Sequence, residues 1–405
     1  MNSRPAATKS SDSTPEDFMT QAAKHLVLAG GGHAHLSVLE MLAQRRPAGP
    51  ETTLITPAPF QNYSGMLPGW IAGHYTLDEC RIDLRPLAEA AGVRLIVGRV
   101  TGMDADQHRL YLDDGSTMDY SLLSLDVGSE TDTADLAELG ERLLPVKPLD
   151  DFFVQWPLLM ATALQTPGFR MSVIGAGAAG VEIALAASHS LRGAGGTARI
   201  DLVISETGLL PGHAAGVVKR AQQSLDEAGI RIHRARARAS ESGLVLADGT
   251  QLPADKVIAT TGARPLGWLA HCGLKLDARG YILVDAYHRS LSHADVFAAG
   301  DTCARADVRM ARSGVHAVHA GPVLARNLLA TIEGGEVQTY KPRRRSLYLL
   351  ATGPRHAIAS WGRWSAEGAW VWRWKDRIDR RFMNRFALPG RAISAATPAS
   401  AERKC

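Results

Sequence analysis

Residues 25–36 read HLVLAGGGHAHL. Leu26, Val27 and Leu28 lead through Ala29 into three glycines and then into what the pattern predicts as the first turn of a helix. A buried strand that turns sharply into a helix meets the needs of a dinucleotide. Gly30 and Gly32 let the backbone approach a pyrophosphate, and the helix N-terminus offers free N–H groups and the positive end of its dipole. The sixth position of the G-x-G-x-x-G pattern is His35 instead of glycine. Alone, the stretch therefore fits either a cofactor turn or a plain tight turn, and two later segments decide between them.

The first is MSVIGAGAAGVEIALAA at 171–187. Here Gly175, Gly177 and Gly180 complete the pattern, with an apolar strand before them and an alanine-rich helix after, and 200–204 reads as the next strand. Strand-like pieces follow at 243–246 and 256–260 around the turn Asp248-Gly249, then TTGARP at 260–265. The second is ADVFAAGDTC at 294–303. The two glycine modules stand about 145 residues apart, which predicts that the first is interrupted by the second and completed after it. Gly300-Asp301 would return to the first cofactor, where Asp301 either accepts bonds from a ribityl hydroxyl or is a plain turn aspartate.

Between the modules, the first helix is expected over 33–46 and the second strand over 52–56. That strand ends on Thr56-Pro57, where the dinucleotide fingerprint wants an acid to hold a ribose hydroxyl. Residues 57–75, with the run NYSGMLPGW, read as a loop that is either a flavin face or a packed connection. A helix is expected over 81–91, and strands over 94–99, 109–112 and 122–125 with a turn at 113–115. Asp126-Val127-Gly128-Ser129 closes the block, and a polar linker runs to about residue 149.

A chain of 405 residues suggests two or three domains. Its hydrophobic content of 45% and charged content of 21% are ordinary for a globular enzyme. The net charge of +4 hides an asymmetry: residues 341–391 carry 13 Lys and Arg against 3 Asp and Glu, while residues 1–340 carry 30 against 37. A basic end on an acidic body suggests a partner surface with negative charge. Cys80, Cys272, Cys303 and Cys405 are scattered with no CxxC, which argues against a disulfide framework, a zinc site and a redox dithiol, and fits free thiols of a reducing cytosol. Residues 1–22 are Ser/Thr/Pro-rich without an apolar core, so a disordered leader is expected and not a signal peptide. No run of 18 apolar residues exists that could span a bilayer.

Near the end, Trp370, Trp374, Ile378, Phe382 and Phe386 recur every four residues, one stripe on a helix, with Arg373, Arg377, Arg380, Arg381 and Arg385 around it. Five of the eight tryptophans fall between 361 and 374. A basic amphipathic helix with interfacial tryptophans reads as membrane-surface binding, hence a quinone-like acceptor. The alternative is that the stripe docks on the rest of the chain or on a partner subunit.

These segments resemble the flavoproteins with two dinucleotide-binding domains, the pyridine nucleotide-disulfide oxidoreductases with FAD, type II NADH dehydrogenases among them. The resemblance covers roughly 24–388 and rests on GGGHAH (30–35), DVGS (126–129), GAGAAGVE (175–182), TTGARP (260–265) and FAAGD (297–301). More narrowly, YSGMLPGWIAGHY (63–75), SGVHAVHAGPVLARNL (313–328) and WVWRWKDRIDRRFM (370–383) resemble the flavoprotein module found alone or fused N-terminally to selenophosphate synthase (selenide, water dikinase).

The resemblance implies an α/β fold of two Rossmann-like dinucleotide-binding domains, the FAD domain interrupted by the NAD(P)H domain, plus a C-terminal segment with an amphipathic helix. The implied layout is a leader at 1–22, the FAD-binding domain at 23–149 and again at 266–340, and the NAD(P)H-binding domain at 150–265. A basic, aromatic segment at 341–390 and a disordered tail at 391–405 complete it. FAD would lie on Gly30, Gly32, His33 and Thr56, with Val100 near the adenine, Gly128 in the DVGS turn, and Gly300 and Asp301 on the ribityl and pyrophosphate side. NAD(P)H would lie on Gly175, Gly177 and Gly180, with Glu182 orienting the nicotinamide carboxamide or simply solvated on its helix. Glu206 favours NADH, although it stands about two places later than the usual acid.

The departures also carry meaning. The disulfide reductases of this superfamily carry a dithiol that this chain lacks, and Cys303 and Cys80 only partly match the flavin-side cysteines of sulfide:quinone oxidoreductases. His316 and His319 stand where type II dehydrogenases keep a glutamine pattern; they are either packed or solvent-facing, or acceptor contacts. Pro322 is expected to kink its helix. No catalytic acid, base or metal site is nominated, because hydride transfer between nicotinamide and flavin needs stacking geometry and stabilised charge, the latter from a helix N-terminus near Ser313. The expected activity is NAD(P)H oxidation passing electrons to a quinone-like acceptor, in the cytoplasm and peripheral to the inner face of the cell membrane, with no nucleic-acid partner. The alternatives are a reductase of a selenium or sulfur compound and a flavin-bearing redox sensor.

Overall fold

In the computed structural model the described residues are 25–310, 314–343 and 345–387. The expected leader at 1–22, the tail at 391–405, Cys405 and Ser313 lie outside them. The strand His25–Ala29 is buried along Leu26–Ala29 and sits at the centre of a five-stranded parallel sheet. Glu51–Thr56 and Arg94–Val97 extend that sheet on one side, Leu122–Leu125 and Val296–Ala298 on the other. A second parallel sheet has the order Leu143–Pro145, Lys256–Ala259, Arg170–Ile174, Arg199–Ile204, Arg231–Arg234. The chain thus leaves the first sheet after Leu125, builds the second, and returns for one last strand. The fold class is the expected one, mixed α/β with parallel sheets.

Each sheet's central strand feeds a helix, His33–Gln44 in the first and Ala178–Gly193 in the second. The first helix packs along Gly314–Glu333, and the contact needs a glycine. A Cβ on Gly321 would stand 2.8 Å from Ser37 Oγ and 2.9 Å from the Ala34 carbonyl oxygen. The later helix runs through Pro322 as one element, so the expected kink does not end it.

Several local expectations change. Residues 57–75 are not plain loop: Phe60–Asn62 pairs antiparallel with Arg81–Asp83, and Leu67–Ile71 is a short helix. The expected helix over 81–91 therefore begins only at Leu84, where the Asp83 carboxylate accepts the Arg85 N–H and caps it. The long helix Leu149–Gln165 and the antiparallel sheet of Tyr348–Ala351, Ala357–Trp361 and Trp364–Gly368 had no counterpart in the sequence reading. That sheet carries the chain into the C-terminal helix, Ala369–Arg385.

Candidate functional site: a cavity between two glycine turns

A cavity of about 1730 Å³ opens at the C-terminal ends of the first sheet's strands. It is larger than the roughly 300–1,000 Å³ of a drug-sized ligand site, and so has room for a dinucleotide and a second molecule. Gly30, Gly32, His33, Thr56, Val100, Gly128, Gly300, Asp301 and Glu182 all line it. Gly175, Gly177 and Gly180 do not; the second module reaches the cavity through Ala178, Ala179 and Glu182.

At the first turn Gly30 has φ +93°, and its N–H donates to the Ile55 carbonyl at 2.7 Å. A Cβ there would lie 2.3 Å from the Asp126 carbonyl oxygen, so only glycine fits. A Cβ on Gly32 would fall 2.3 Å from Asp126 Cγ. The close neighbour of this turn is thus a carboxylate from the next strand's end. Asp126 Oδ2 accepts the N–H groups of Ala34 at 2.8 Å and His35 at 3.2 Å, and burial pushes its pKa up to about 7. His35, in place of the third glycine, is fully buried and ties the helix to the sheet. Its Nδ1 reaches the Gly30 carbonyl at 2.5 Å and its Nε2 the Ser124 hydroxyl at 2.8 Å.

His33 points the other way. Its ring lies beside the stacked pair of Tyr63, 5.7 Å away, and Phe382, 5.8 Å away; burial lowers its pKa to about 4, and Nε2 has no hydrogen-bond partner among the described residues. Thr56 is buried and its hydroxyl donates to the Ala58 carbonyl at 3.2 Å. The single hydrogen it could have offered a ribose is committed to the backbone, which leaves the hydroxyl as an acceptor for a cofactor group. Asp301 is no plain turn aspartate: its Oδ2 accepts from Lys147 Nζ at 2.5 Å, and Lys147 also donates to Ser129 Oγ at 3.3 Å. Lys147 was missed in sequence, where one lysine between valine and proline carries no periodic signal.

At the second turn Gly175 has φ +147°, and a Cβ would stand 2.1 Å from Thr260 Oγ1. A Cβ on Gly180 would stand 2.1 Å from the Gly175 carbonyl oxygen, whereas one on Gly177 would meet nothing within 4 Å. Glu182 is not a solvated helix carboxylate. Its Oε1 accepts the Ala351 N–H at 2.8 Å, and burial, partly offset by Lys375, pushes its pKa up to about 7.

The C-terminal helix falls between the two readings of its stripe. Its buried face is Val371, Lys375, Asp379, Arg380 and Met383, not the apolar stripe. Lys375 Nζ donates to Asp379 Oδ2 at 2.6 Å and to the Gly65 carbonyl, and Tyr63 donates to Asp379 Oδ1 at 3.1 Å. Burial alone would lower the Lys375 pKa, but the charges of Asp379 and Glu182 outweigh it and push it up. Arg380 bonds Glu79 and Asp376, each at 2.9 Å, and Arg385 pairs with Glu40, so these two arginines are tethered to the protein. The stripe itself divides. Phe386 is buried and Phe382 stacks on Tyr63, while Trp370, Trp374 and Ile378 stay 48%, 37% and 41% exposed. Trp361 and Trp364, 56% and 46% exposed, line the cavity with Trp374 and Ile378 and so form its mouth.

Of the two nominated histidines, His319 lines the cavity and His316 is buried in its helix. Cys303 is buried beside the Gly300 carbonyl, and burial pushes the Cys80 thiol up. Among the described residues no group of three or more His, Cys, Asp or Glu could hold a metal ion. No described helix is long and apolar enough to cross a membrane.

The site's contents fit FAD and a nicotinamide nucleotide: two glycine turns open onto helix N-termini, and His33 offers an unpartnered ring nitrogen to a large cavity. Known proteins agree. A NADH dehydrogenase-like protein of Mycobacterium tuberculosis is 30% identical over 240 residues, 56% of this chain and 60% of its own length. The ferredoxin–NAD(+) reductase component of the biphenyl dioxygenase system of Paraburkholderia xenovorans is 30% identical over 217 residues, 51% of this chain and 49% of its own. The chain thus spans one half to three fifths of these relatives. Among solved structures, the sulfide:quinone oxidoreductase of Aquifex aeolicus shares the fold, with a TM-score of 0.74 at 16% identity over 90% of this chain and 91% of that one. A ferredoxin reductase of Rhodopseudomonas palustris does so too, with 0.69 at 23% over 83% and 81%. The sequence pattern of the pyridine nucleotide-disulphide oxidoreductases matches residues 24–322, and the chain belongs to this family of FAD-dependent NAD(P)H oxidoreductases.

Proposed function

We propose that this chain passes electrons from NADH to a small apolar acceptor of the quinone type, which enters from a membrane surface. The observation that carries the reading is the mouth of the cavity. Trp361, Trp364, Trp374 and Ile378 line the cavity and remain well exposed, with Trp370 stacked on Trp374 at 6.4 Å. Arg343 and Arg345 line it as well. Aromatic groups ringed by arginine suit an anionic lipid headgroup boundary and an apolar molecule leaving it.

Bound FAD would supply the carrier between a hydride donor and the acceptor. The chain's own residues bind and orient. The first turn with Thr56, Val100, Gly128, Gly300 and Asp301 holds FAD; Gly175, Gly177 and Gly180 hold the nicotinamide nucleotide; Glu182 orients the carboxamide. Glu206, exposed at the end of Arg199–Ile204, disfavours a 2′-phosphate. Arg234, in register with Ile204, is already bonded to Gln222 at 3.2 Å.

A second reading rests on a separate observation. The segments resembling the flavoprotein module of selenophosphate synthase chains converge on the cavity through Tyr63–Gly65, Val315, His319, Trp374 and Phe382. They favour a reductase of a selenium or sulfur compound. NADH oxidation with a panel of quinones, chalcogen compounds and a ferredoxin separates the readings. Turnover with quinones, and salt-weakened but salt-resistant sedimentation with anionic vesicles, support the first. A Trp361→Ser/Trp370→Ser variant should keep its melting temperature and lose the salt-resistant part of vesicle binding, since salt screens only the charge contribution. Turnover with a chalcogen compound or ferredoxin alone overturns the quinone reading.

A further inference from the structure

We propose that Asp126 binds the cofactor as a neutral acid, donating a hydrogen bond from Oδ1 to the diphosphate that the first glycine turn cradles. The proposal rests on the FAD reading above and adds a residue and a protonation state to it.

Asp126 is fixed in place. Its N–H donates to the Ala29 carbonyl at 2.8 Å, which locks its backbone beside the end of the central strand. Its side chain occupies the anion-binding end of the first helix, where Oδ2 takes the N–H groups of Ala34 and His35. Oδ1 faces two glycines that line the cavity: a Cβ on Gly300 would be 2.4 Å from it, and one on Gly32 2.5 Å. No described group bonds Oδ1. The protein has thus placed its own carboxylate in the cradle that a cofactor dianion must share.

Two anions cannot both stand in a buried cradle without a cation between them. The titratable groups nearest Asp126 are otherwise engaged or neutral, and burial lowers the pKa of His316 and His319 on the helix behind Gly300. Lys147, from the segment before Leu149–Gln165, is already paired with Asp301, and Asp301 adds further negative charge next to Asp126. His33 and His35, on the first helix, are held neutral by burial, both near 4. The remaining way to remove the conflict is to protonate Asp126. Burial already holds the free acid at about 7, so the cost near neutral pH is small. The helix claims Oδ2, so the proton goes to Oδ1, the oxygen that faces the cavity, and it comes from solvent, one per diphosphate bound.

The expected consequence follows from linkage. Below about pH 7 the acid is already neutral and FAD affinity is level. Above it the dissociation constant rises by up to tenfold per pH unit. Asp126→Asn keeps an oxygen for the two helix N–H groups and offers an amide N–H where the acid offers O–H.

The test is titration of flavin-free protein with FAD between pH 6 and 9, followed by flavin fluorescence, for wild type and Asp126→Asn, with riboflavin as the probe lacking a diphosphate. Wild type should weaken about tenfold from pH 7.5 to 8.5 for FAD and not for riboflavin, and Asp126→Asn should stay level for both. Parallel pH profiles for the two proteins overturn the proposal. If Asp126→Asn does not fold, proton uptake by wild type on adding FAD in weak buffer decides. Close to one proton per FAD at pH 8.5 supports the proposal and none overturns it. Absence of FAD binding by wild type at every pH is a different result, the failure of the FAD reading itself.

Discussion

The two glycine turns have the same local plan and opposite interiors. At the first, the space behind Gly30 and Gly32 is filled by Asp126, from a strand 92 residues downstream of Ala34, and the third glycine is replaced by a buried histidine. At the second, Gly175 is crowded by Thr260 and Gly180 by the Gly175 carbonyl and Thr260, while Gly177 faces open space. A glycine pattern therefore says that something approaches the backbone closely, but not what. At Gly32 the protein itself makes the approach; at Gly177 no described group does.

Substitutions that add one Cβ separate these cases. The largest effect is expected for Gly175→Ala. Its φ of +147° strains any side chain, and the new Cβ would meet the Thr260 backbone carbonyl oxygen at 2.6 Å, which cannot swing away. Strain and overpacking together should cost about 3–5 kcal/mol, read as a fall in denaturation midpoint. A loss below 1 kcal/mol would mean that the second turn is looser than described. Gly32→Ala comes next. Its backbone is ordinary, with φ −70°, so only the contact with the Asp126 carboxylate is penalised, about 1–3 kcal/mol. Asp126→Ala in the same chain should recover much of that loss. If it recovers none, the crowding at Gly32 does not come from Asp126.

The same contrast explains what was legible in the sequence. The strands, the glycine turns and the helices after them were legible because they are local: apolar runs, glycines and helix starts lie within twenty residues of each other. Asp126 was visible only as one letter of a motif, although a carboxylate ending the apolar run LLSL was a signal that something awaited it. His35 was visible only as a missing glycine. The charged buried face of the C-terminal helix was not legible for the same reason. Apolar periodicity pointed at Trp370 through Phe386, but Lys375, Asp379 and Arg380 are buried by partners about 300 residues earlier, Gly65, Tyr63 and Glu79. No periodicity records such pairings. The three-stranded sheet at 348–368 was lost because its strands are short and broken by Gly353 and Gly362.

A third prediction compares the carboxylates that each module buries. Asp126 is held at about 7 against its ordinary 3.8, and Glu182 at about 7 against 4.5. In both cases the folded protein keeps a proton that the unfolded chain has already released. Stability of the cofactor-free protein should therefore fall as pH rises from about 4 to 7, by at most roughly 1.4 kcal/mol per unit for each group, and level off above. Asp126→Asn should remove about half of that slope. Glu182→Gln should remove slightly less, because the ordinary value of a glutamate starts nearer to 7. Denaturant unfolding at pH 4.5, 6 and 7.5 measures both, and an unchanged slope in Asp126→Asn would show that its carboxyl is ionised throughout.

The smallest effect on stability, with the most specific effect on function, is expected for Gly177→Val. Gly177 caps its helix with φ −79° and ψ −178°, extended backbone that valine adopts without strain, and a Cβ there touches nothing. The denaturation midpoint should move by less than about 0.5 kcal/mol, the ordinary range for substitutions away from packed features. Flavin content should also stay the same, because the first turn is untouched. The space that valine fills lies at the N-terminus of Ala178–Gly193, where free N–H groups would take the nicotinamide nucleotide's pyrophosphate. NADH should then reduce the bound flavin at least tenfold more slowly at subsaturating concentration, while dithionite reduces it as before. Full-rate reduction by NADH in this variant would place the nucleotide elsewhere. Loss of flavin instead would mean that the two turns have exchanged cofactors, and the contrast between a turn filled by the protein and a turn left for the nicotinamide nucleotide would have to be reversed.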